Sequence, residues 1–140
     1  MKILVYGAGN LGSLYAAKLK EGGHDVCILA RGARLHEIRE HGILLQDFHS
    51  GQKSTTRIEA VERLAPEDAY DLVLVILPRN SVSEILPVLA ANQNLPSVMF
   101  FGNNAGGFEE MIEALGRERV LLGFPGAAAV PHDEYIRYII

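Results

Sequence analysis

The run Lys2-Ile3-Leu4-Val5-Tyr6 leads directly into Gly7-Ala8-Gly9-Asn10-Leu11-Gly12, and the residues after it place Leu11, Leu14, Tyr15 and Leu19 at helical spacing. A strand, a tight glycine turn and a helix must therefore follow one another at the start of the chain. The string G-x-G-x-x-G is common, but one that closes a strand and opens a helix is the dinucleotide fingerprint. Gly7 permits the tight turn, Gly9 lets a pyrophosphate approach the backbone, and Gly12 lets the helix pack close to the strand. Backbone N–H groups along Ala8, Asn10 and Leu11, with the positive end of the helix dipole, then hold the anion without a lysine. No Lys-Ser or Lys-Thr follows the glycines, which disfavours a triphosphate site of the Walker type.

The strand-then-helix order recurs along the chain. Residues 25 to 30, DVCILA, read as a second strand, and 33 to 41, ARLHEIREH, as a second helix stopped by Gly42. Between 43 and about 60, ILLQDF and STTRIEA alternate around HSGQK, which suggests short strands joined by a turn. The apolar run 71 to 77, DLVLVIL, reads as a strand covered on both faces and ended by Pro78. A helix over 80 to 91 follows, N-capped by Asn80 or Ser81 and distorted at Pro87. Next come a strand at 97 to 101, the loop GNNAGG, and a helix at 108 to 115 with Phe108, Met111, Ile112 and Leu115 on one face. A further strand at 119 to 124 and a strand-like ending at 134 to 140 complete the pattern. Such alternation implies an α/β, Rossmann-type, doubly wound fold: a mostly parallel sheet with helices on both faces, in a single domain over 1–140.

Composition narrows what this domain does. A chain of 140 residues, 49% hydrophobic and 21% charged, can bury one core and has no room for a second full domain. Its formal net charge of -4 argues against coating nucleic acid or an anionic membrane, so neither is expected as a partner. Gly7 interrupts the first apolar run too early for a secretory signal, and no later run approaches the roughly 20 residues that span a bilayer. Cys27, the single cysteine, excludes an internal disulfide and fits a reducing cytoplasm; Val26, Ile28 and Leu29 beside it suggest a buried thiol. His24, His36, His41, His49 and His132 lack ligand spacing, so no metal is expected.

The second strand ends Leu29-Ala30-Arg31. In the NAD version of this site a carboxylate at that point accepts hydrogen bonds from the ribose hydroxyls, roughly 20 residues beyond the glycines. Here the nearest acid along the strand, Asp25, lies at its beginning, and Arg31 stands at its end. A guanidinium there makes charge-assisted contacts to a 2′-phosphate, with Arg34 able to assist. One such contact favours NADP over NAD by roughly tenfold to a hundredfold. NADP is accordingly the expected cofactor.

The segments MKILVYGAGNLGS, LARGARLHEIREHGI, YDLVLVIL, FFGNNAGGFEEM and LLGFPGAAA, in this order, resemble the ketopantoate reductase (2-dehydropantoate 2-reductase) family over essentially the whole chain. The resemblance implies an NADPH-binding N-terminal domain of an oxidoreductase that reduces a 2-keto acid to a 2-hydroxy acid in pantothenate synthesis. It places Gly7, Gly9 and Gly12 on the family's phosphate turn and Arg31 on its 2′-phosphate arginine. Asn103 falls on an asparagine that contacts cofactor and substrate near the nicotinamide, where it would orient the reactants; Asn104 stands where glycine is frequent. Glu109 matches a glutamate often seen there. Pro78 and Ser81 stand where the family has a lysine and a glutamine, and the neighbouring Arg79 offers a cation but no proton of moderate pKa. The family's catalytic lysine and its substrate-binding serine, asparagine and glutamate belong to a helical C-terminal domain that these residues do not include, so a truncated, by itself inactive chain is expected.

Other polar residues invite simpler explanations. Glu109 and Glu110 open a helix, where acids suit the dipole. Ser13 follows the glycine turn and is placed to donate to a phosphate. The edge at 134 to 140 and the apolar stretch GFPGAAAV are expected to be exposed, and a homodimer would form through them. A different class therefore stands beside the enzyme: a non-catalytic NADP-binding or sensor module that self-associates.

Overall fold

Along β1 (Lys2–Tyr6), Ile3 and Val5 belong to one buried cluster and Leu4 to another, the period-2 alternation of a strand covered on both faces. The structure, a computed structural model, describes residues 1–102 and 107–140. In it β1 pairs in parallel with β2 (Asp25–Leu29) on one side and β6 (Leu72–Val75) on the other. β5 (Glu59–Val61), β7 (Val98–Phe101) and β8 (Val120–Gly123) extend this into a six-stranded parallel sheet of order β5-β2-β1-β6-β7-β8. Strand order reverses between β1 and β6, which opens a crevice at the carboxyl ends of the strands.

The helices take both faces. Leu14, Ala16 and Ala17 of α1 (Asn10–Glu21) and Leu35 and Ile38 of α2 (Gly32–His41) join Ile3, Val5 and Ile28. Val82, Ile85, Leu86 and Leu89 of α3 (Arg79–Ala91) and Met111 and Leu115 of α4 (Glu109–Leu115) join Leu4, Val73 and Val75 on the opposite face. Each fully buried Ile or Leu contributes about 1.5 to 3 kcal/mol relative to exposure.

Two expectations change in detail. The strand read over 71 to 77 stops at Val75, although the Ile76 N–H still donates to the Tyr6 carbonyl. The helix after it begins at Arg79 with Pro78 as its cap residue, rather than at Asn80 or Ser81. The physical reason is that the Pro78 carbonyl already accepts from the N–H groups of Ser81 and Val82 and so closes the first turn itself. Pro87 lies inside the helix.

The irregular middle and the end of the chain form something the pattern did not reveal. β3 (Ile43–Asp47), β4 (Lys53–Thr56), β9 (Ala128–His132) and β10 (Tyr135–Ile139) build a second sheet of order β4-β3-β10-β9, with β10 parallel to β3 and antiparallel to β9. β10 is therefore an interior strand, and the expected exposed edge at 134 to 140 is instead supplied by β9. Within GFPGAAAV, Phe124 is 79% exposed and Val130 is exposed as well; Leu121 and Leu122 of the edge strand β8, just before that stretch, are also exposed.

α1 is held between the two sheets. Ile43, Leu45 and Ile136 of the second sheet pack into the same cluster as Leu14, Ala16 and Ala17. Lys18 Nζ sits 4.9 Å over the Tyr138 ring and pairs with Glu21 at 2.9 Å, and Thr56 Oγ1 donates to Glu21 at 2.9 Å. The helix that begins at the glycine turn is thus fixed from both sides.

Candidate functional site

The glycine turn is built as its spacing requires. Gly7 has φ +125°, in the region that favours glycine, and a Cβ there would collide with the carbonyl oxygen of Ile76, the residue after β6. A Cβ on Gly12 would collide with the Gly7 carbonyl oxygen, so α1 starts in direct contact with the turn. Gly9 is the opposite case: it is exposed, and a Cβ would meet nothing within 4 Å. That opening lies at the start of α1, where no side chain caps the helix and no acid stands in the first turn. The fit to an anionic pyrophosphate follows from this geometry.

Three depressions meet at Leu77 along the crevice. The first, about 260 Å³, is bordered by Tyr6, Gly7 and Ala8 from β1 and its turn, Arg31 from the end of β2, and Ser81 and Glu84 from α3. The second, about 290 Å³, runs over Gly9, Asn10, Leu11 and Gly12 towards Pro78 and Phe101. The third, about 340 Å³, lies between Pro78, Arg79 and Phe100. The turn residues and Arg31 are therefore brought together on one crevice. Asn103, with Asn104, lies outside the described residues.

Arg31 is exposed and forms the residue before α2, in extended conformation. Its positive charge reaches Tyr6: burial pushes the Tyr6 hydroxyl above its ordinary pKa, and Arg31 pulls it the other way. Asp25 pairs with Lys2 at the far end of the strands, so it takes no part. The reading along β2, which found no acid at its end, needs correcting, because Glu84 of α3 borders the same depression as Arg31. The search along β2 overlooked it because the acid comes from α3, one helical turn beyond Ser81; i,i+3 spacing from Ser81 was the available signal.

Arg34 and Ser13 also depart from expectation. Ser13 is fully buried, donates to the Ala8 carbonyl at 3.3 Å and accepts from Arg34 Nη2 at 2.7 Å, so its hydroxyl serves the turn and is not presented to a ligand. Arg34 Nε donates to the Ala8 carbonyl at 3.0 Å, and Nη1 lies 3.3 Å from Glu37. Arg34 thus holds the turn while also bordering the first depression beside Arg31.

At the other end, Arg79 Nη2 donates to the Gly107 carbonyl at 3.1 Å. Glu109 and Glu110 occupy the first turn of α4, and Glu110 accepts from Ser83 at 3.0 Å, tying α4 to α3. Cys27 is a buried free thiol whose Sγ lies 3.3 Å from Glu59; burial first, then that carboxylate, push its pKa up to about 11. Among the described residues no group of three His, Cys, Asp or Glu is placed to hold a metal, and no helix is long and apolar enough to cross a membrane.

Sheet order, glycine turn and crevice together define a Rossmann-type α/β domain. The family model described as ketopantoate reductase PanE/ApbA matches residues 3–132, and the chain belongs to that family of oxidoreductases. Curated relatives include 2-dehydropantoate 2-reductases of Aquifex aeolicus (29% identical over 126 residues, 87% of this chain and 38% of the relative) and Pyrococcus abyssi (30% over 122 residues, 84% and 38%). That of Mesorhizobium japonicum is 35% identical over 91 residues, 64% of this chain and 27% of the relative. Among solved structures, a ternary complex of D-mandelate dehydrogenase with NADH and anilino(oxo)acetate superposes with TM-score 0.82 at 22% identity, covering 99% of this chain and 46% of that one. The 2-dehydropantoate 2-reductase of Porphyromonas gingivalis gives 0.81 at 24%, covering 98% and 50%. The chain therefore spans half or less of the length of these relatives.

Proposed function

We propose that residues 1–140 are the NADP-binding unit of an oxidoreductase that reduces a 2-keto acid of the 2-dehydropantoate type to a 2-hydroxy acid, as in pantothenate synthesis. The observation that carries the cofactor choice is Arg31, exposed on the rim of the first depression at the end of β2. Gly7 to Gly12 would hold the pyrophosphate through backbone N–H groups, and Arg31 would pair with the 2′-phosphate. D-mandelate dehydrogenase, a neighbour of the same fold, forms its complex with NADH, so the fold alone does not select the phosphate. When bound, NADPH supplies hydride for a carbonyl carbon, and the protein contributes placement and electrostatics.

Asn103, following β7, would orient the carbonyl beside the nicotinamide. The relatives' additional length, more than half of each, is the natural source of a helical substrate domain and of the proton donor. The single buried thiol of Cys27 suits a reducing compartment such as the cytoplasm. A second reading, a non-catalytic NADP-binding module that dimerises, draws on the exposed Leu121, Leu122 and Phe124 around β8.

Calorimetric titration of the 140-residue chain tests the first reading. We expect NADPH to bind at least about tenfold more tightly than NADH. Equal affinities would overturn the NADP assignment. Added ketopantoate should not be turned over by this chain alone, and sustained NADPH oxidation would show that the described unit suffices for chemistry.

A further inference from the structure

The sequence ILARGAR supplies two arginines three residues apart; both border the first depression, and the fold gives Arg34 partners in the glycine turn. Arg31 stays exposed at the rim, whereas Arg34 is half-buried and turned towards the glycine turn. Its Nε and the Ser13 hydroxyl both donate to the Ala8 carbonyl, at 3.0 and 3.3 Å, and its Nη2 donates to that same hydroxyl at 2.7 Å. Glu37 holds the remaining side of the guanidinium at 3.3 Å.

A trans peptide is planar, so the Ala8 C=O and the Gly9 N–H point in opposite directions. Drawing the Ala8 carbonyl towards Arg34 and Ser13 therefore aims the Gly9 N–H away from them. Gly9 is the exposed position of the turn, where an added Cβ would meet nothing within 4 Å. The guanidinium also sets a permanent positive charge behind the turn and offsets the partial negative charge of its carbonyl.

We propose that Arg34 is a positioning residue for the pyrophosphate, acting through Ala8 and Ser13, and that it serves NADPH and NADH equally. This rests on the cofactor-binding reading above but separates two tasks within it. Arg31 discriminates by the 2′-phosphate, while Arg34 shapes the turn that both cofactors share.

The test compares NADPH, NADH and adenosine 2′-monophosphate, which carries the 2′-phosphate but no pyrophosphate, in the parent chain and in Arg34→Gln, Arg34→Lys and Ser13→Ala. Arg34→Gln should weaken NADPH and NADH by the same factor, about tenfold, and leave adenosine 2′-monophosphate unchanged. Arg34→Lys, which keeps the charge and one donor, should recover part of the loss. Ser13→Ala should lower both affinities together by about threefold, and it decides the matter if Arg34→Gln does not fold by circular dichroism. A loss confined to NADPH and adenosine 2′-monophosphate would make Arg34 a second phosphate ligand and overturn the proposal, as would unchanged affinities in folded variants. If the parent chain bound none of the three, the cofactor-binding reading and this inference would fall together. Binding by the parent with an unequal response in the variants would remove this inference alone.

Discussion

The two ends of the crevice are lined by different chemistry. At the β2 end, opposite charges, Arg31 and Glu84, border one depression beside the half-buried Tyr6. At the β7 end, the described lining is Leu77, Pro78, Phe100, Phe101 and Met111, with Arg79 as its one charged side chain. Selecting a cofactor needs fixed charge on rigid elements, and the β2 end has it. Reducing a carbonyl needs a proton donor with a pKa near neutrality, which a guanidinium is not. Under the proposed reading, recognition and reaction are separate structural demands, and the described residues of the β7 end carry no group suited to the second.

Three substitutions probe that contrast. The largest effect belongs to the turn between the two ends: Gly12→Val drives side-chain atoms into the Gly7 carbonyl, and should cost about 1 to 3 kcal/mol of stability and abolish binding of both cofactors. Thermal unfolding with NADPH titration reads both, and a folded variant of parental affinity would show that the turn is not the shared anchor. Next, Arg31→Ala should weaken NADPH by roughly tenfold to a hundredfold and change NADH by less than about twofold. A parallel loss for NADH would blur the division between the β2 end and the turn. Smallest is Glu84→Gln, which removes a negative charge from the depression that Arg31 borders and should move the NADPH-to-NADH preference by about threefold towards NADPH. A shift towards NADH would mean that Glu84 contacts the cofactor in some other way.

What the sequence disclosed followed from local rules. Gly7, Gly9 and Gly12 between an apolar run and a helical period specify a turn whatever surrounds it, and Arg31 follows from strand length alone. Pairing across long separations was not legible. β3 meets β10 across most of the chain, with Ile136 beside Leu45, and no local period links the two. ILLQDF and EYIRYII both looked like strands, yet nothing in either said that they share a sheet. Glu84 was missed for the same reason, since it reaches the crevice from α3 while the search followed β2. Arg34 looked like a partner of Arg31 because they are neighbours in sequence. The contacts of its guanidinium with Ala8 and Ser13 lie across the fold, and no spacing within ILARGAR announces them.

The clamped helix α1 also limits how this chain can change. An ordinary surface helix accumulates substitutions along its solvent side, where most replacements cost little. Between Asn10 and Leu19 every residue of α1 is buried or half-buried, so that side is narrow. Fully exposed positions in this part of the molecule begin at Lys20. Among replacements that fall in α1, those from Gly12 to Ala17 should be lost most often, because five of these six residues are buried.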